Sequence, residues 1–440
     1  MKILKLVFVI LAVLPLTAAS QPQKSLDECI ETAWERNPGL RNDIINMKEA
    51  RLNYVSSVGS FLPEADISVD IGRSFGRSID PETNGYTNNT FDEGSIGLNM
   101  TLSLFEGFSR INRVRFERAN RNRSEWELKD RQNNLAYQVT DVYYKLLLEE
   151  RMLELAREQS RLSERYLKQT EAFVGLGLKS ASDLQEVRAR REGDIYRCQA
   201  RENSYRLTLL RLKQLMNMQE AETLAVQDTI LYEVLPEYTL PNTDNLYSQS
   251  LAVMPSLQMI KQRQKAAQRE YAMAGGNFSP SIYARFSMSS YYINEFSVKK
   301  LDNNLGKYIG IGVSFPLLNG LERLTTIRKH KLNMYRIGNE AELERQQLYT
   351  DVAGTVLSLN AGSTEFKQTL LQMNAEKSVL KESERKWEEG LISVFQLMEA
   401  RNRFISAKAE LIRVRLQVEM MMVMEKYYRT GSFRNIRKEA

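Results

Sequence analysis

The chain has 440 residues, 61 lysines and arginines against 55 aspartates and glutamates, a formal charge of +6, and 42% hydrophobic residues. So mild a positive excess does not point to nucleic acid, and Cys29 and Cys198 form no metal-binding spacing. A soluble protein of this length would ordinarily be two or three globular domains.

The first line argues for something else. "MKILKLVFVILAVLPLTAAS" places Lys2 and Lys5 before an apolar run from Leu6 to Leu16, then small residues suited to cleavage near Ala19 or Ser20. That is the layout of a secretory signal over residues 1–20. Its apolar core is shorter than the ~20 residues of a spanning helix. The signal predicts an exported chain; its removal takes Lys2 and Lys5 and lowers the charge from +6 to +4, and no nucleic-acid partner is expected. Leu-Asp-Glu precedes Cys29, so this cysteine is not a lipid-attachment site directly after the signal. An oxidising compartment allows a Cys29–Cys198 disulfide; two buried or unpaired thiols are the alternative.

A helix is expected over about 24–59, followed by a pair of strands. Ala65, Ile67, Val69 and Ile71 alternate with Asp66, Ser68 and Asp70. Ile96, Leu98, Met100, Leu102 and Leu104 alternate with small polar residues from Ser95 to Ser103. From about Gly107 to Val174 there is no proline, and Leu128, Leu135, Val139, Val142, Leu146 and Leu153 follow coiled-coil spacing. Such a helix would run roughly 100 Å, and its partner from Ala181 to about Asn217 only about half that. Arg110, Arg113, Arg115, Arg118, Arg121 and Arg123 crowd its start, either as a basic collar at headgroups or as a solvated face paired with Glu117, Glu125 and Glu127.

The same order then recurs. "NPGL" at Asn37 faces "MPSL" at Met254, and "FLPEADISV" at Phe61 faces "FSPSIYARF" at Phe278, both at an offset of 217. "LFEG" at Leu104 faces "LLNG" at Leu317 at an offset of 213, as "GLGLKSASDLQEVRAR" at Gly175 faces "EEGLISVFQLMEARNR" at Glu388. The halves are therefore expected at 21–217 and 242–430, with a Pro-broken linker or belt at 218–241 and a short tail at 431–440. In the second half the strands lie at about 281–318, the long helix at about 321–389 and its partner at 394–430.

Strands with one apolar face either bury it against the chain's own helices or present it to lipid with the polar face on water. Composition leaves both open. Four strands do not close a barrel, which needs at least eight, so contact with lipid would require several copies. The joins at 80–89 and 294–304 are polar, as outward loops would be, and Phe91, Phe105, Phe108, Tyr291, Tyr292 and Tyr308 fall near strand ends.

These residues together resemble the outer membrane efflux protein family, the TolC-like export ducts, over nearly all of the chain beyond the signal. The resemblance rests on Asn-Pro-Gly-Leu, Phe-Leu-Pro, Leu-Phe-Glu-Gly and "VGLGLKSASDL". It implies a mainly α fold with a small β part, internally duplicated. Long antiparallel coiled-coil helices and four membrane strands per protomer would form a homotrimeric, 12-stranded β-barrel continued by a periplasmic α-helical barrel. It implies the outer membrane of a Gram-negative bacterium, contact with outer membrane lipid, a periplasmic adaptor and an inner-membrane transporter. Cargo would be small molecules or, alternatively, a secreted protein. The two repeated turns become periplasmic tips for adaptor docking, at Gly175, Gly177, Leu178 and Ser180, and at Gly390, Leu391 and Ser393. Asp183 and Ser182 match the tether acceptors, Trp387 the gate aromatic, and Glu399 the inner carboxylate of a constriction. Ile392 and Gln396 replace the arginine and outer carboxylate of that pattern. Read from the residues alone, Gly177 and Gly390 serve the turn, Asp183 is a helix cap, and Glu399 is a solvated face or a partner of Arg403.

Neither a cofactor nor an enzymatic site is expected. His330 has no metal-spaced neighbours, and no nucleophile-elbow or phosphate-loop pattern occurs. A periplasmic coiled-coil adaptor or rod would account for the helices but not for four alternating strands.

Overall fold

The structure, a computed structural model, describes residues 23–79, 85–87, 90–293 and 298–434. The signal segment, residues 80–84, 88–89 and 294–297 of the polar joins and most of the tail lie outside the described residues. In chain order the elements are β1 (Gln23–Lys24), α1 (Leu26–Arg36), α2 (Pro38–Gly59), β2 (Glu64–Ser74), β3 (Ser78–Ile79), β4 (Tyr86–Thr87), β5 (Phe91–Glu106), α3 (Ser109–Gly175) and α4 (Ala181–Leu215). There follow β6 (Ala225–Val226), α5 (Thr243–Val253), α6 (Pro255–Gly276), β7 (Ser281–Ile293), α7 (Val298–Asn303), β8 (Gly306–Ser314), α8 (Glu322–Glu388) and α9 (Val394–Thr430).

Three expectations need correction. The helices before each strand pair are broken, at Asn37 and Met254, because proline follows. Each of these residues adopts extended backbone, with ψ of 121° and 123°, as the clash with the proline ring requires. The last strand stops at Ser314 rather than near 318, since Pro316 has no N–H to continue a ladder. The second join is not plain loop, because it carries α7.

The chain divides into two compact units, each built from both halves of the sequence. One comprises 39–131 and 244–352; the other takes the chain up to 38, 132–243 and everything from 353 on. The first unit holds a four-stranded antiparallel sheet in the order β2-β5-β7-β8, leaving β2 and β8 as edges. Its register aligns Ala65, Met100, Phe286 and Ile309 in one row on one face, and Asp66, Asn99, Ser287 and Tyr308 in the adjacent row on the other. A bulge between Ser103 and Phe105 brings β5 to its end. The apolar face is not covered by the chain's own helices: Ile67 is 72% exposed, Ile71 77% and Ile309 83%. Of the two arrangements composition leaves open, self-burial is thereby removed.

Arg110 is committed to this unit's own framework. Its guanidinium donates to the Ser60 carbonyl at 2.6 Å and to that of Ser103, and lies 4.8 Å from the Phe61 ring. Neither a headgroup collar nor a solvated face describes that residue.

The second unit is held by a helical core. On α3, Leu135, Val139, Val142, Leu146 and Leu153 are buried with Tyr143, and Leu26, Cys29 and Ile30 of α1 are buried with them. Cys29 and Cys198 are both free, and burial pushes the Cys29 thiol up to about 12. The linker is pinned along its length. Parallel β6 pairs with β1, Tyr143 Oη donates to the Gln227 carbonyl at 2.6 Å, and Arg415 Nε donates to the Val234 carbonyl at 2.8 Å.

At the middle of the linker, Asp228 accepts from Arg151 (2.7 Å), Tyr232 Oη (2.7 Å) and the Ile230 amide (3.0 Å). Its side chain is only 11% exposed, so removing it leaves the partly buried Arg151 guanidinium with Glu154 as its remaining carboxylate and takes the acceptor from two further donors. We expect Asp228→Ala to cost about 2–3 kcal/mol. Amide exchange over residues 226–234 checks it: protection should fall there first, and unchanged protection would show that the linker is held elsewhere.

Candidate functional site

The second unit contains both repeated turns, and their backbones are alike. After α3, Gly177 takes φ 73° and donates to the Val174 carbonyl at 3.0 Å, while the Leu178 amide reaches Phe173 at 2.8 Å. After α8, Gly390 takes φ 76° and donates to Trp387 at 3.0 Å, while Leu391 reaches Lys386 at 2.8 Å. Each is a Schellman closure, and the positive φ explains glycine at both positions. Gly175 ends α3 two residues earlier with no crowding around its Cα. Leu178 and Leu391 are exposed, as is Leu176.

The next helix begins at each turn with a capping box. Ser180 N donates to Asp183 Oδ2 at 3.0 Å and Asp183 N returns a bond to Ser180 Oγ at 3.1 Å. Ser393 and Gln396 repeat this with 3.0 and 3.3 Å. The chemistry differs in one respect: the first box is ionised and the second neutral. The backbone N–H of Ser180 holds the Asp183 carboxyl below its usual range, aided by the Ser180 hydroxyl and offset slightly by desolvation. Ser182, on the same first turn, is exposed.

Trp387 is buried between the two hairpins. Its ring meets Tyr166 edge-on with centroids 5.3 Å apart and Phe173 at 5.9 Å. Val187, Val394, Leu397 and Met398 complete the cluster, and Ile392 packs against it. This is ordinary aromatic packing by geometry, and the indole N–H has no partner. Glu399 lies on the opposite side of α9, exposed, 3.7 Å from Arg403, which also reaches Glu376 at 3.5 Å.

One residue at this joint was not anticipated. Arg401 is 2% exposed, donates to the Gln159 carbonyl at 2.7 Å and faces the Tyr166 ring at 5.7 Å. Burial pulls its guanidinium below the usual range, while Asp194, Tyr166, Glu158 and Glu384 pull it back. A signal existed: position 401 continues the apolar stripe of 394, 397 and 398, where an arginine must be buried or break the helix packing. Its counterpart at the same offset, Arg188, instead lies outside, paired with Glu171 at 3.3 Å. Among the described residues no group of three or more histidines, cysteines or acids is placed to hold a metal.

A family model described as outer membrane efflux protein matches residues 29–218 and 246–420. No curated protein matches the chain. Among solved structures the chain is similar to CusC, whose structures concern folding and transmembrane channel formation, with a TM-score of 0.81 at 16% identity over 93% of each chain. It is also similar to the outer membrane protein VceC of Vibrio cholerae, at 0.78 and 14% over 93% of this chain and 96% of that one. The outer membrane channel CmeC of Campylobacter jejuni gives 0.80 and 15% over 94% and 88%.

The unlike capping boxes make the two tips respond differently to acid. A depressed carboxyl pKa adds stability that is present above the ordinary aspartate range and lost as pH falls through the lowered value. First-turn amides of α4 should therefore lose about 0.3–1 kcal/mol of protection on acidification at low ionic strength, and those of α9 none. Residue-resolved amide exchange reads this directly. Asp183→Asn should abolish the difference; equal responses at both tips in the unaltered chain would refute the assignment.

Proposed function

Because the chain belongs to the outer membrane efflux protein family, we propose that it is the passive exit duct of a tripartite efflux or secretion system. Three copies close a 12-stranded barrel in the outer membrane, each adding four strands, and continue as a helical passage through the periplasm. A periplasmic adaptor docks at the tips and an inner-membrane transporter supplies cargo and energy. The observation that carries this reading is the sheet with two free edges, one exposed apolar face and one polar face. Such a sheet is stable in lipid only when further strands satisfy its edges.

Exposed apolar residues on the helices support the assembly. Tyr196, Leu207 and Leu210 on α4, and Leu357 and Leu371 on α8, are exposed in a single chain at spacings suited to a coiled-coil seam. Neighbouring copies would cover them.

At the tips, exposed Leu176, Leu178 and Leu391 form the adaptor-docking surface together with Gly175, Gly177, Ser180, Gly390 and Ser393. Asp183 and Ser182 tether the first hairpin, Ser180 engaging only Oδ2 of Asp183. Trp387 holds the second hairpin against the first, so that its release accompanies opening. Gln396 and Glu399 face the constriction, where three Glu399 carboxylates attract cations. The polar face of the sheet adds Glu64, Asp66, Asp70 and Glu93 against Arg285, which favours cations as well.

The two faces give a sharp test. Ile311→Arg on the apolar face should cost about 2–4 kcal/mol in lipid and prevent assembly, whereas Ser287→Arg on the polar face should assemble normally. Detergent extraction from the outer membrane and the trimer fraction report the outcome; equal behaviour of the two variants would sink the barrel reading. In planar bilayers, Glu399→Gln should weaken cation preference without lowering the number of channels. Unaltered preference would remove Glu399 from the constriction while leaving the duct in place.

A further inference from the structure

On the polar face of the sheet two tyrosines lie over glycines. A methyl group built on Gly312 would stand 2.6 Å from Cε2 of Tyr283, and one on Gly310 would stand 2.7 Å from Cζ of Tyr308. The register explains both contacts. Tyr283 is directly opposite Gly312, Arg285 is opposite Gly310, and Tyr308 sits two residues from Gly310 on the same face of β8. Side chains on a strand normally stand roughly perpendicular to the sheet. Here the absent Cβ atoms leave a floor on which the Tyr308 ring lies along its own strand and the Tyr283 ring leans across onto the neighbouring one. Tyr308 covers Gly310 yet is 58% exposed, as expected of a ring with one side on the backbone and the other open. Arg285 lies 5.6 Å from the Tyr283 ring and joins the same layer.

We propose that Gly310 and Gly312 set the bore of the duct within the membrane, by letting Tyr308 and Tyr283 lie against its wall instead of projecting into it. The inference rests on the reading that the polar face lines a water-filled lumen. A Cβ at either glycine displaces the ring from the floor, and the direction left open to it is the lumen. In a threefold assembly each such change is made three times around one passage, so the width of the membrane-level lumen is set by residues that never touch what passes through it.

The test uses the full chain as a detergent-extracted, lipid-reconstituted assembly, with Ser287→Cys as a reporter on the polar face and Cys198→Ser to remove the other accessible thiol. Cys29, fully buried, does not compete. The probes are a small water-borne methanethiosulfonate and a maleimide carried on a bulky polyethylene glycol. The ratio of bulky to small labelling rates should fall severalfold in Gly310→Ala and in Gly312→Ala. Adding Tyr308→Ser to the first, or Tyr283→Ser to the second, should restore it, which a general loosening of the sheet would not do. A ratio unaffected by the alanines, or a fall that persists after the ring is removed, overturns the proposal. If Gly312→Ala does not assemble, Gly310→Ala with its rescue decides alone. An introduced thiol that reacts only with a reagent dissolved in the lipid would overturn the lumen reading itself, a failure distinct from that of the bore.

Discussion

The unpaired backbone of β2 and β8 constrains the whole molecule more than any single side-chain contact. Each edge presents N–H and C=O groups that cost several kcal/mol apiece where no water reaches them. No helix among the described residues is long and apolar enough to cross a membrane. The pairing of β5 with β7 joins both strand pairs into one sheet and confines the problem to two edges per chain. On the duct reading, amphipathic strands thereby become a reason for assembly, because closure with like sheets would satisfy the edges and leave the apolar face to lipid.

What the helices contribute is a frame for two turns whose backbones match and whose side chains do not. Schellman closures and capping boxes give both tips the same path. The ionised Asp183 against neutral Gln396, and the external Arg188 against the buried Arg401, give them different electrostatics. A buried guanidinium with two orphaned nitrogens is an expensive way to pack helices together. Its position against Tyr166, which in turn packs on Trp387, makes the contact between the hairpins less secure than an all-apolar joint would be. On the duct reading, that is the contact that must give way on opening.

The linker shows a related economy. Its prolines and polar residues form almost no regular structure, yet Tyr143, Arg151 and Arg415 each bond to it directly, and its own Tyr238 donates to the Leu359 carbonyl of α8. Several of these partners are long or aromatic side chains emerging from buried helix faces, which combine apolar packing with a polar tip. Order in the segment comes from the helices beneath it.

Period-two alternation at 65–71 and 95–104, the proline-free span with its three-four apolar spacing, and the paired Gly-Leu turns were legible from residue order alone. They depend on local geometry: the alternation of a strand, the turn of a helix, the left-handed φ of a glycine. Pro38 and Pro255 were equally visible, yet one unbroken helix is expected over about 24–59, without the break that Pro38 imposes there and Pro255 at its counterpart. Whether the apolar face was covered, which strand lay beside which, that Arg110 spends its charge on two carbonyls and that Arg401 points inward were decided only by tertiary structure. Each depends on residues tens or hundreds of positions apart meeting in space, and the pattern along a chain records which face is apolar without recording what, if anything, lies against it.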